Sequence, residues 1–200
     1  WKAGEERSRL MLLADCDGMQ VDGVTILDSP HGGLMFGETD GGRIERVKVL
    51  CWNLNTDGIN GNSVRDITVR NCFVRAGDDV VVFKNTKFAG NGDLRRIRVS
   101  DMVLWGDLAH AVIIGPEATE RTPPQVAEDI IVERVDVLDH NGAYKTYSGA
   151  LAVITSGGSI ARDIIFRDIV IERMAPTGWI FNVRTDRNEW APGLGGPISR

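Results

Sequence analysis

The chain has 200 residues, 42% of them hydrophobic and 26% charged, with a formal net charge of −5. That is enough for one sizeable core or one elongated solenoid. No Lys/Arg-rich run stands out, which argues against a nucleic-acid partner, and the longest apolar stretches, such as Val80-Val81-Val82-Phe83, are far too short to cross a bilayer.

Near the N-terminus, Arg7 to Leu13 is the best helical candidate, and it is short. From there an apolar pattern with period two repeats along the chain: Val24-Thr25-Ile26, Val47-Lys48-Val49, Ile67-Thr68-Val69, Ile97-Arg98-Val99, Ile130-Ile131-Val132 and Ile164-Ile165-Phe166. Their first residues lie 23, 20, 30, 33 and 34 positions apart. In most copies a second apolar pair follows a short polar break, as in Cys72 with Val74, Met102 with Leu104, Val135 with Val137 and Ile169 with Ile171. Alternation of this kind marks strands with one buried face, and Gly, Asn and Asp between copies supply turns. A repeat of short strands that cannot bury its own apolar face must stack on its neighbours. The predicted fold is therefore all-β, a right-handed parallel β-helix with about three strands per coil. A β-sandwich is the runner-up, disfavoured because hairpin signals are scarce. Cys51 and Cys72, 21 positions apart, are expected to stack as small core residues, and with Cys16 they are too few for a disulfide framework. The longer spacings after Lys84 and Gly115 predict projecting loops, Asn85–Asp93 and Pro116–Gln125, of the kind that wall clefts. The start at Trp1 and the loop-like segment Trp190–Pro197 read as a single solenoid domain, residues 1–200, cut from a longer chain.

Two short acidic motifs carry the chemistry: Asn55-Thr56-Asp57-Gly58 and Gly77-Asp78-Asp79. Asp57 and Asp78 are 21 residues apart, close to the repeat, so on successive coils, about 4.8 Å apart, the motifs would merge into one carboxylate cluster. Turn aspartates or a calcium site, which wants six to eight oxygens, would also use such residues. Acid–base chemistry is the stronger reading, because mutual repulsion pushes carboxylate pKa values apart and leaves one acid and one base side by side. Glycosidic cleavage needs that pair. Neither a cofactor nor a metal is expected.

With Asp28-Ser29-Pro30-His31 before them and Ala109-His110-Ala111-Val112-Ile113-Ile114-Gly115 after, these motifs run in the order seen in glycoside hydrolase family 28, the polygalacturonases. The chain also resembles family 49, the dextranases and isopullulanase, which shares the β-helix and the acidic trio. The resemblance implies that Asp78 is the general acid and that Asp57 and Asp79 position and deprotonate water in an inverting reaction. His110 would match the histidine of a Gly-His-Gly motif, with Ala in place of both glycines; a coil-lining polar residue is the alternative. His31, one coil before Asp57, is a sugar contact or a turn residue. The Arg-x-Lys motif with which polygalacturonases clamp a uronate is replaced by Leu151-Ala152-Val153-Ile154-Thr155, which holds no cation. That argues for a neutral, α-glucan-type sugar, unless Lys84 or Lys145 meets the carboxylate. Lys84 could equally be a strand-end lysine setting an acid's pKa. Tyr144, with Tyr147, is a candidate cleft wall, and Trp52 and Trp105 fit core packing or sugar stacking.

The sequence thus points to an inverting glycoside hydrolase acting on a polysaccharide or its oligosaccharides. A polygalacturonase-type pectin hydrolase is the alternative, followed by a polysaccharide lyase and a non-catalytic carbohydrate-binding β-helix. An extracellular or periplasmic location follows from such substrates.

Overall fold

A computed structural model describes residues 9–85, 92–142, 149–176, 178–185 and 195–199. Among them there is no helix, and the strands pair in parallel, coil upon coil, as the right-handed parallel β-helix expected from the repeat. The first sheet stacks β1 (Met11–Ala14), β4 (Leu34–Gly37), β7 (Ile59–Asn62), β10 (Val81–Lys84), β12 (Val112–Ile114), β14 (Gly149–Thr155) and β16 (Trp179–Thr185). The second stacks β2 (Met19–Asp22), β5 (Asp40–Glu45), β8 (Arg65–Arg70), β11 (Leu94–Gly106), β13 (Val126–His140), β15 (Ile160–Ile171) and β17 (Ile198–Ser199). A third ladder, β3 (Thr25–Leu27), β6 (Lys48–Cys51) and β9 (Phe73–Ala76), runs into the second half of β11. Of the helical expectation at Arg7 to Leu13, residues 7 and 8 lie outside the described residues and the rest is corrected: β1 begins at Met11, its residues alternating between half-buried and exposed, and a period of two written in only four residues is easily taken for a helical face.

Each coil turns its corners on single residues in the left-handed region. Gly23, Arg46, Asn71, Asp101, Arg134 and Asp168, with φ between 51° and 67°, occupy one such position on six successive coils. Asp and Asn tolerate this conformation better than most side chains, which is why polar residues break each apolar pair.

The register separates two columns that look alike in sequence. Ile67, Ile97, Ile130 and Ile164 stack directly. The Val24 and Val47 segments belong to the other strand of their coils: Ile26, Val49, Val74 and Leu104 form that column. Both strands read apolar-x-apolar with the same short break between, so the pattern alone cannot tell them apart. Cys51 and Cys72 are both buried thiols, but Cys51 stacks on Ala76 and not on Cys72. On the outer faces, in-register stacking sets several acids against arginines of the next coil: Asp40 with Arg65, Glu45 with Arg70, Glu128 with Arg162 and Glu133 with Arg167. An exposed pair such as Asp40–Arg65 contributes about 0–1 kcal/mol, so the buried columns hold the fold.

Replacing the fully buried Ile97 by alanine should cost about 2–5 kcal/mol, whereas Lys48→Ala, exposed on β6, should stay within about 0.5 kcal/mol; urea denaturation measures both.

Candidate active site

Both acidic motifs sit at the corner that leads into the first sheet. Asn55 takes φ 59° there. The glycines of the motifs are required by close approach: a Cβ on Gly58 would lie 2.4 Å from the Val80 carbonyl oxygen, and one on Gly77 would lie 2.1 Å from that of Asn53. With no side chain at either position the coils close up, and the acids project together. The Gly58 amide donates to the Asp79 carbonyl (2.8 Å) and the Val80 amide to that of His110 (2.9 Å). Asp57 therefore stacks on Asp79, and Asp79 on His110, so the two motifs stack as expected, one residue out from the 21-residue spacing of Asp57 and Asp78. The cluster itself is as expected. One carboxylate oxygen from each of Asp57, Asp78 and Asp79 lies within 4.8 Å of the other two.

The three carboxyls differ in their partners. Asp79 Oδ1 accepts from His110 Nδ1 at 2.8 Å and from the His110 amide at 3.3 Å. Burial pushes Asp79 upward, but the imidazole and its two hydrogen bonds outweigh it and hold this carboxyl below the usual carboxylate range. Asp57 Oδ2 lies 3.3 Å from Lys84 Nζ and accepts from Asn60 Nδ2; burial raises it, against the pull of Lys84. Among the described residues Asp78 has neither kind of partner. Burial first, then the charges of Asp79 and Asp57, push it up to about 7. One carboxyl thus holds a proton near neutrality beside an ionised neighbour.

Lys84 Nζ also reaches Glu117 Oε1 at 3.0 Å. Sequence reasoning missed Glu117, which the Pro116–Gln125 insert delivers; its only signal was its place just past the His110 strand. The insert is anchored by Ala118, whose amide donates to Ser156 Oγ at 3.1 Å. Lys84 is thereby paired with two carboxylates, Asp57 and Glu117, on the wall of the site.

A cavity of about 430 Å³ opens over the trio, lined also by Arg9, His31, Asn60, Lys84 and Glu117. His31 is a cleft residue, its Nε2 3.2 Å from Asn55 Nδ2. Arg9 was not anticipated, because it lies far from any motif. The stretch in the Arg-x-Lys position is β14, every residue buried. Ala152 and Ile154 pack with Val82 and Ile113 in an apolar cluster. Tyr144 and Lys145 lie outside the described residues. Trp52 and Trp105 sit away from the cavity, on either side of the Arg75 guanidinium, at 5.9 Å and 4.9 Å from it, while Arg75 forks onto Asp107.

Residues 2–184 match the family model described as "Glycosyl hydrolases family 28". A probable polygalacturonase from Arabidopsis thaliana is 24% identical over 177 residues, 87% of this chain and 35% of its own length. A polygalacturonase from Chamaecyparis obtusa is 27% identical over 133 residues, 64% of this chain and 24% of its own length. The chain therefore spans about a third or less of these relatives. Among solved structures, a hyperthermoactive exopolygalacturonase from Thermotoga maritima superposes with a TM-score of 0.63 at 18% identity, covering 89% of this chain and 42% of that one. A family 28 exopolygalacturonase from Yersinia enterocolitica gives 0.60 at 16%, covering 92% and 36%. At those identities the structural likeness shows the fold.

A carboxyl raised in the folded state keeps its proton there while the unfolded chain has released it, so it lowers stability as pH rises from its ordinary value of 3.8 towards 7. Asp78→Asn should therefore be more stable than the native chain at pH 8, by roughly 1–3 kcal/mol. The gain should vanish below about pH 4, where Asp78 is protonated in both states. Denaturant titrations at the two pH values measure it.

Proposed function

The chain belongs to glycosyl hydrolases family 28, and we propose that it is a pectic polysaccharide hydrolase of the polygalacturonase type, cleaving glycosidic bonds between galacturonate residues by inversion. The observation that carries the reading is the trio itself: an acid raised to about 7 beside two carboxylates that have cationic or imidazole partners. The relatives' names supply the substrate class and favour the pectic reading over the neutral-sugar one that the missing Arg-x-Lys suggests. Arg9 and His31 on the cleft wall give a uronate positive or hydrogen-bonding partners from another direction.

In this reading the Asp78 proton passes to the glycosidic oxygen as its bond to the anomeric carbon breaks. Asp57 and Asp79 hold a water, and one of them takes its proton as the water oxygen bonds to the same carbon from the opposite face. Products are a free alcohol and a hemiacetal, and the trio is left with its proton on a different carboxylate, to be returned to Asp78 through solvent. Separations of 6.5–9.5 Å are usual where two carboxylates invert alone. One oxygen from each of the three carboxyls here lies within 4.8 Å of the other two, closer than that range, so the anomer of the first product is what tests inversion. His110 keeps Asp79 ionised and oriented through Nδ1–H.

Incubation with polygalacturonate should release reducing ends, with the basic limb of the kcat/KM profile near pH 7. Asp78→Asn should lose about 10²–10⁴-fold, and proton NMR of the first product should show the anomer opposite to the substrate linkage. A retained anomer overturns inversion. Activity on dextran or pullulan but not polygalacturonate would restore the neutral-sugar reading, which the apolar stretch at Leu151–Thr155 supports.

A further inference from the structure

Lys84 is a buried cation for which the proton transfers above have no task. Its side chain is 13% exposed, and its ammonium is gripped from two directions. Asp57 faces it from the turn before β7 at 3.3 Å. Glu117, 30% exposed, faces it from the insert after β12 at 3.0 Å. Asp78 and Asp79 lie beside it in the same cavity, at the turn before β10; His110 stands behind Asp79, and Arg9 lines the same wall. Glu117 is placed there at some expense, since it takes φ 61°, a conformation uncommon for a glutamate. In-register stacking alone would leave a column of acids; the Lys84–Glu117 pair is what this chain adds to it.

We propose that Lys84 and Glu117 are positioning residues that set the division of charge in the trio. Lys84 favours the ionised form of Asp57 against burial, so that the proton left in the cluster resides on Asp78. Glu117 tempers the ammonium, so that its field does not strip that proton from Asp78 as well. Neither residue is assigned a contact with substrate. The proposal rests on the hydrolase reading for its purpose, but not for its test.

The two residues act on Asp78 with opposite sign. Removing the Lys84 charge leaves three acids with less compensation, and Asp78 holds its proton to higher pH. Removing the Glu117 charge frees the ammonium to act on the trio, and Asp78 releases its proton at lower pH. Loosened packing would not produce opposite shifts. Protein carrying ¹³C-carboxyl aspartate is titrated by NMR, with the Asp78 resonance assigned by its absence in Asp78→Asn. The midpoint should rise by about one pH unit in Lys84→Met and fall by about half a unit in Glu117→Gln, while Lys84→Arg should stay near the native value. The basic limb of the kinetic profile should move in the same two directions. Shifts of the same sign, or no shift in Glu117→Gln, overturn the proposal and leave a structural ion pair. Should Lys84→Met fail to fold, Glu117→Gln and Lys84→Arg decide it, because the first is altered on a partly exposed residue and the second keeps the charge. Opposite NMR shifts in a protein inactive on polygalacturonate would uphold the charge-setting pair and reject the substrate.

Discussion

In-register stacking governs this molecule. In a parallel β-helix every residue lies on the residue in the same position one coil below, so like tends to meet like. For apolar side chains this is favourable: the Ile67, Ile97, Ile130 and Ile164 column is continuous, and its first three members are fully buried. For charges it is unfavourable, and the outer faces respond by setting acids against arginines of the next coil, Glu133 with Arg167 and Asp40 with Arg65. The acidic corner gathers like charges instead: Asp57 meets Asp79 and Asp78 stands beside both.

Two unit charges at about 4 Å in a partly buried site interact by about 4 kcal/mol, against a total stability of about 5–15 kcal/mol for a typical domain. Three ionised carboxylates within 4.8 Å therefore require relief, and the chain supplies it in three forms. His110 takes one carboxylate, Lys84 takes another, and a proton takes the third. The last form is the useful one. A carboxyl that keeps its proton near neutrality is a general acid, and the repulsion that makes the corner costly is what raises it. Stability and chemistry pull against each other at Asp78, as expected where a site is built from a destabilising arrangement.

Much of this was legible in the sequence. Period-two alternation and a repeat of apolar pairs gave the β-helix, because burial on one face of a strand leaves no other mark. The trio, His110, His31 and Lys84 were readable from motifs on successive repeats. Register was not: Val47-Lys48-Val49 and Ile67-Thr68-Val69 carry the same pattern on different strands of their coils, and the one-residue difference between Asp57 over Asp78 and Asp57 over Asp79 depends on how many residues each corner absorbs. Glu117 and Arg9 were missed for another reason. Both reach the cleft from segments outside the repeat, an insert and the first coil, where no periodicity constrains position.

The apolar stretch at β14 can now be given a physical cause. Met35, Asn60, Val82, Ile113 and Ala152 form one outward column of the first sheet, and Asn60 at its near end lines the cleft. Beyond Asn60 the column turns apolar, and Ile154 joins it at 4% exposure. A guanidinium or ammonium in that cluster would be buried without a counter-charge, a loss of several kcal/mol. Among the described residues, positive charge in this cleft is instead found at Lys84, already shared between Asp57 and Glu117, and at Arg9, two coils before Asp57. If a uronate binds here, as proposed, the described residues offer its carboxylate the Arg9 and His31 side, on the opposite flank of the trio from the one the family motif would use.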